Sequence, residues 1–199
     1  IWIEDIQPAK RKLVAYLYDK SHVQGAAVLL DNKTGEILAM VGGDDYNDPV
    51  NDGQWNRAWQ GGRQPGSCWK PLLYGAAFDL RDEKGRPRFT PGTVIIDEPF
   101  SVGNWTPKNY TKRHYGAVTL HEALVNSLNI PTVKLFMEIG RKKAVELYRK
   151  YNVVNGPEGW KLTSDPPMCL GTPNVTALEL AAAYAVFANQ GVGITPRPI

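Results

Sequence analysis

The chain is poor in the residues that hold metals and build disulfide frameworks. Its 199 residues include two cysteines, Cys68 and Cys169, and three histidines, His22, His114 and His121. Two thiols so far apart form no framework, and the histidines lack the short spacings that ligate zinc. No metal and no cofactor is therefore expected. The cysteines read as isolated buried thiols, and a bridge would require the fold to bring them together. No apolar run is long enough to span a bilayer, and no signal-peptide pattern is seen. There is no internal repeat and no low-complexity segment. Strong charge of one sign is also lacking: 23 basic and 20 acidic residues leave a net +3. The short clusters Lys10-Arg11-Lys12, Lys112-Arg113-His114 and Arg141-Lys142-Lys143 mark solvated faces, and no nucleic-acid partner is expected.

What is present is ordinary globular material, 43% hydrophobic and 22% charged, with chain enough for one domain and a sizeable core. Ile6 to Leu17 reads as a helix with Leu13, Val14, Tyr16 and Leu17 on its apolar face. Ala26–Leu30 and Glu36–Val41 flank Asp31-Asn32-Lys33-Thr34-Gly35, which predicts a β-hairpin. Trp55 and Trp59 suggest a short anchored turn used for packing. Thr93–Asp97 reads as a strand, and Phe100–Tyr115 as a long loop. Its aromatics Trp105, Tyr110 and Tyr115 either line a groove for an extended ligand or pin the loop to the body.

Further on, Thr119 with Glu122 three residues later is a capping-box pattern opening a helix toward Ser127. Pro131 then forces a break or a restart before a helix over Thr132–Ile139. Arg141–Tyr151 is amphipathic, and Thr176–Asn189 is an alanine-rich core helix. Both ends look cut: there is no initiator methionine, and Gly193–Ile199 reads as the approach to another element. The expectation is a piece of a longer protein.

Chemistry is expected at Arg63-Gln64-Pro65-Gly66-Ser67-Cys68-Trp69-Lys70-Pro71. Gln64-Pro65-Gly66 predicts a tight turn. Cys68, Trp69, Leu72, Leu73, Ala76, Ala77 and Leu80 then recur at helical spacing, so a buried helix begins near Ser67. Pro71 is tolerated because it falls in or just beyond the first turn. Ser67 and Lys70 lie one turn apart on one face. A serine hydroxyl needs a base to become a nucleophile, and a lysine becomes one when burial and the positive helix end disfavour its charge. The Ser67 N–H at the helix start can also donate to an oxyanion. Ser-x-x-Lys alone is weak, since about one is expected by chance in a chain this long. Ser127-x-Asn129 is weak in the same way; Ser caps helices and Asn ends them. Together the two patterns supply a nucleophile, a base, a second hydroxyl for a leaving amine and an amide for a substrate backbone.

These stretches are similar to the transpeptidase domain of the bifunctional class A penicillin-binding proteins. The resemblance rests on Arg63–Pro71, Trp105-Thr106-Pro107-Lys108-Asn109-Tyr110, Tyr115–Leu124 and Ser127-Leu128-Asn129-Ile130-Pro131. Leu170-Gly171-Thr172-Pro173-Asn174-Val175-Thr176 and Tyr184–Asn189 add to it, in the family's order over nearly the whole chain. It implies an α+β fold of the β-lactamase/D,D-transpeptidase type, a helical lobe beside an antiparallel sheet, with the C-terminal strands missing from residues 1–199. It implies D,D-transpeptidation of peptidoglycan stem peptides, with Ser67 as nucleophile, Lys70 as its activator, Ser127 as proton shuttle and Asn129 as a substrate-binding amide. β-Lactam antibiotics would acylate the same serine. The implied parent chain carries a glycosyltransferase domain and a membrane anchor at the outer face of the bacterial cytoplasmic membrane. The alternatives are a β-lactam-sensing or non-catalytic penicillin-binding module, or a β-lactamase-like hydrolase. Lys33-Thr34-Gly35 matches the letters of the family's third motif but precedes the nucleophile, so it is read as turn chemistry. The functional Lys-Ser/Thr-Gly is expected beyond Ile199, and without it this piece alone is expected to be inactive.

Overall fold

The computed structural model describes residues 23–50, 52–151 and 162–199, and the backbone of Ile6–Gln7 and Lys12–Leu13. A helix over 6–17 does not form: Ile6–Gln7 (β1) pairs antiparallel with Lys12–Leu13 (β2). Pro8 explains the change, because the residue before a proline is driven out of helical geometry. The rest of that stretch lies outside the described residues.

The expected hairpin is present as Ala27–Leu30 (β3) and Ile37–Val41 (β4), antiparallel with a bulge between Leu29 and Leu30. Its turn is made by Asp31, whose Oδ1 accepts from Lys33 N at 2.8 Å and Thr34 N at 2.7 Å, and by Gly35 at φ 77°. Lys33-Thr34-Gly35 is thus a turn. Arg197 lies along it, pairing its backbone with Gly35 and Ile37 and its guanidinium with Glu36 at 2.9 Å.

Lys70–Asp79 (α1) is the centre of the helical lobe. Trp69 before it and Leu72, Leu73, Tyr74, Ala76 and Ala77 within it are buried, so the helix is covered on nearly every side. Each large apolar side chain so buried stabilises the fold by about 1.5–3 kcal/mol. Gly75 carries no side chain where Phe187 and Tyr151 approach. Val94–Asp97 (β5) pairs antiparallel with Gly116–Thr119 (β6), a strand not expected from the sequence. Between them the loop aromatics divide. Trp105 packs against the core, whereas Tyr110 is almost wholly exposed.

Thr119 closes the expected capping box with Glu122 and opens Leu120–Val125 (α2). Asn129–Ile139 (α3) starts three residues earlier than expected, because Pro131 falls in its first turn, where a missing N–H costs no helical bond. Arg141–Arg149 (α4) follows. Ala177–Ala188 (α5) opens with a second capping box, Thr176 and Glu179. Val133, Leu135 and Phe136 of α3, Leu147 and Tyr148 of α4, and Met168 and Cys169 complete the core around α1. No helix among the described residues is long and apolar enough to cross a membrane.

Candidate active site

Ser67 sits at an exposed tip made almost entirely by backbone. Gly66 at φ 57° turns the chain into a single 3-10 turn, Gly66–Trp69, whose last bond runs from Lys70 N to Ser67 O. Side chains three residues apart eclipse in such a turn, so Ser67 and Lys70 share a side. The same geometry moves Cys68 off the buried face. It is exposed, where the sequence suggested burial, while Cys169 is buried and both thiols are free. Three backbone ties hold the tip: Gly66 N donates to Gly171 O at 3.1 Å, and Arg63 and Val175 exchange bonds of 3.0 and 2.9 Å. Tyr184 Oη adds a bond to Cys68 O at 2.6 Å. Gly171, at φ 82°, lies so close that a Cβ there would collide with the Gly66 backbone. Gly171 was visible in the sequence only as part of a resembling stretch, with no role attached.

Lys70 is buried, with 1% of its surface exposed, and forms no ion pair with a carboxylate among the described residues. Its Nζ donates to Ser127 O at 2.7 Å and Asn129 Oδ1 at 2.7 Å, and lies 3.0 Å from Ser127 Oγ. Burial lowers its pKa from 10.5 to about 8. Burial also pushes the Cys169 thiol up to about 12, so it remains neutral at physiological pH and brings no anion to the amine. The two shortest contacts are to oxygens that can only accept, which uses two N–H groups. The third partner is a hydroxyl that can accept from an ammonium or donate to an amine. This geometry suits either protonation state and allows a proton to pass between Lys70 and Ser127. No hydrogen bond joins Nζ to Ser67 Oγ; the amine is turned toward Ser127 and Asn129.

Ser127 and Asn129 occupy the connection between α2 and α3. Ser127 holds φ 51°, a conformation unusual for a residue other than glycine. Leu128 N closes the preceding turn on Ala123 O at 2.8 Å, and Asn129 begins α3. Asn129 uses Oδ1 on Lys70 and one Nδ2 hydrogen on Lys108 O at 2.8 Å. The other Nδ2 hydrogen makes no bond among the described residues. The structure therefore gathers Lys70, Ser127 and Asn129 through direct contacts, with Ser67 one turn before Lys70. A concavity of about 860 Å³ is lined by Gln24, Arg57, Arg63, Gln64 and Thr176, and by none of these four. The site is defined by its chemistry, and the concavity lies beside it.

An α+β fold of helices with small antiparallel sheets, and a tip of this kind leading into an apolar helix, place the molecule in the β-lactamase/transpeptidase class. Residues 25–199 match the penicillin binding protein transpeptidase domain, and the chain belongs to that family. It is 39% identical over 184 residues to penicillin-binding protein 1A of Neisseria meningitidis serogroup A, covering 89% of this chain and 21% of that protein. To penicillin-binding protein 1A of Aquifex aeolicus it is 37% identical over 174 residues, 87% of this chain and 22% of that one. The chain thus spans about a fifth of the length of these relatives. Among solved structures, penicillin-binding protein 1A from Haemophilus influenzae superimposes with a TM-score of 0.75 at 30% identity, over 87% of this chain and 25% of that one. PonA1 from Mycobacterium tuberculosis in complex with penicillin V gives 0.73 at 24% identity, over 87% and 46%, a likeness of fold.

Proposed function

We propose that this chain carries the acyl-transfer site of a peptidoglycan D,D-transpeptidase that β-lactams inhibit covalently. The observation that carries the reading is a buried lysine with no carboxylate partner among the described residues, one turn after an exposed serine and bonded to Ser127 and Asn129. In the first step Ser67 Oγ forms a bond to the carbonyl carbon of the penultimate D-Ala of a stem peptide. Its proton goes to the neutral amine of Lys70. The carbonyl π electrons move to oxygen, where the Ser67 N–H donates. Collapse breaks the C–N bond, and the proton held by Lys70 passes through Ser127 Oγ to the leaving D-Ala nitrogen. The amine of a neighbouring stem peptide then attacks the ester carbon. Its proton returns by the same path to Ser67 Oγ as the ester C–O bond breaks, which frees the serine and releases the cross-link. Asn129 Nδ2 holds a substrate carbonyl with its remaining hydrogen.

The same proposal places residues 1–199 in the N-terminal and central part of the domain. A Lys-Ser/Thr-Gly strand would follow, and a glycosyltransferase domain and membrane anchor at the cell envelope would belong to the parent chain. The test uses the full-length protein and its Ser67→Ala variant, with fluorescent penicillin and intact-mass analysis. One adduct on wild type and none on Ser67→Ala is expected; an adduct retained by Ser67→Ala overturns the reading. A stem-peptide donor and an acceptor amine should then give a cross-linked product. Adduct without cross-linking would indicate a sensor, and rapid hydrolytic release a β-lactamase-like hydrolase.

A further inference from the structure

Behind the Ser127–Asn129 connection lies a buried polar pair with no place in that mechanism. Asn109, 3% exposed, comes from the loop between β5 and β6, and Asp97, fully buried, ends β5. Asn109 Oδ1 accepts from Asn129 N at 2.9 Å and Ile130 N at 3.2 Å. Its Nδ2 donates to both Asp97 oxygens, at 3.0 and 2.8 Å, and to Arg113 O at 2.9 Å. Tyr115 N steadies the carboxylate at 3.0 Å, and His114 Nδ1 stands 4.0 Å from it. Every donor and acceptor of the Asn109 amide is thus engaged. Turning the amide over would set its oxygen against a carboxylate and a carbonyl, and its NH2 against two N–H groups. The orientation is fixed by chemistry.

α3 needs this help. Its own N-cap residue, Leu128, has no side chain able to cap, so the first N–H groups take their acceptor from a residue 20 positions upstream. The first of those N–H groups belongs to Asn129, the residue whose Oδ1 meets Lys70. The neighbouring backbone carries Lys108 O, which meets Asn129 Nδ2. Asn129 is therefore fixed at its backbone by Asn109 and at its side chain by Lys108 and Lys70.

We propose that Asn109, held by Asp97, is a positioning residue for acyl transfer, fixing Asn129 and with it Ser127 around the Lys70 amine. The inference rests on the proposed function of this site. A displacement of about 1 Å at such a site costs about 10²-fold in rate. Asn109→Asp keeps an acceptor for α3 but sets a second carboxylate against Asp97. Exchanging the partners, Asn109→Asp with Asp97→Asn, restores a donor opposite an acceptor. Asn109→Ser is a milder, neutral variant that cannot reach both helix N–H groups.

The experiment follows penicillin acylation of the full-length protein by mass spectrometry and reads the rate per acylatable molecule, with melting temperature in parallel. Asn109→Ser and Asn109→Asp are expected to acylate about 10- to 100-fold more slowly, and the exchange to recover about tenfold over Asn109→Asp. A purely structural role would lower the melting temperature and the acylatable fraction but leave the per-molecule rate unchanged. That result, with the adduct still on Ser67, overturns the inference alone. Failure of the exchange to restore any rate overturns the part assigned to Asp97. Peptide mapping that finds the adduct elsewhere than Ser67 overturns the proposed function and this inference with it.

Discussion

The two hydroxyls of the site are held in place by different means. Ser67 is presented mainly by backbone, through two glycines at positive φ and the Arg63–Val175 bridge, with the Tyr184 hydroxyl as a side-chain tie. Ser127, besides the backbone bonds that close the end of α2, is held by side chains, through Lys70 and the Asn129–Asn109–Asp97 series. Backbone support is indifferent to pH and intolerant of bulk. Side-chain support is the reverse: it tolerates small changes of volume and responds to charge. The proposed nucleophile thus rests on a rigid mount, and the proposed proton shuttle rests on a titratable one.

Replacing the amine by a group that cannot become neutral should break the titratable side outright. Lys70→Arg keeps a positive charge at any accessible pH, and penicillin acylation measured by intact mass should fall by about 10³-fold. A stopped-flow rate within tenfold of wild type would mean that Lys70 is not the base. A smaller effect comes from pH alone. The Lys70 pKa is lowered to about 8, so the neutral fraction rises about tenfold per pH unit below 8 and levels above it. The acylation rate should follow that curve. Lysine in the unfolded chain holds its proton to about 10.5, so Lys70 should add stability as pH rises from about 8 to 10.5, when only the folded state has lost it. The smallest change addresses the rigid side. Gly171→Ala should displace Gly66, slow acylation by about tenfold and cost about 1–3 kcal/mol in urea unfolding, yet leave the rise with pH centred near 8. A shifted midpoint would show that the two supports are not independent.

Much of this was legible in the sequence, for local reasons. The hairpin turn, the capping box at Thr119, the apolar run of α1 and the turn at Pro65-Gly66 each place their signal within a few residues. What escaped depended on residues distant in the chain. β6 has one buried apolar residue, Val118, and Gly116 and Thr119 read as turn and cap, so its pairing with β5 has no local pattern. Asn109 and Asp97 are ordinary polar letters until the fold sets one against the start of α3. Cys68 was misjudged because a 3-10 turn advances about 120° per residue and an α-helix about 100°. Ser67 and Lys70 were placed on a common side, but no periodicity could foresee that Lys70 Nζ bonds to Ser127 and Asn129 and not to Ser67.

The φ of 51° at Ser127 sets folding and chemistry at odds. Glycine would suit that backbone better by about 1 kcal/mol, but it would remove the oxygen that carries the proton in the proposed reaction. Any search through variants rewarded only for thermal endurance would be drawn toward glycine at this position, and would arrive at a sturdier protein stripped of the proposed relay.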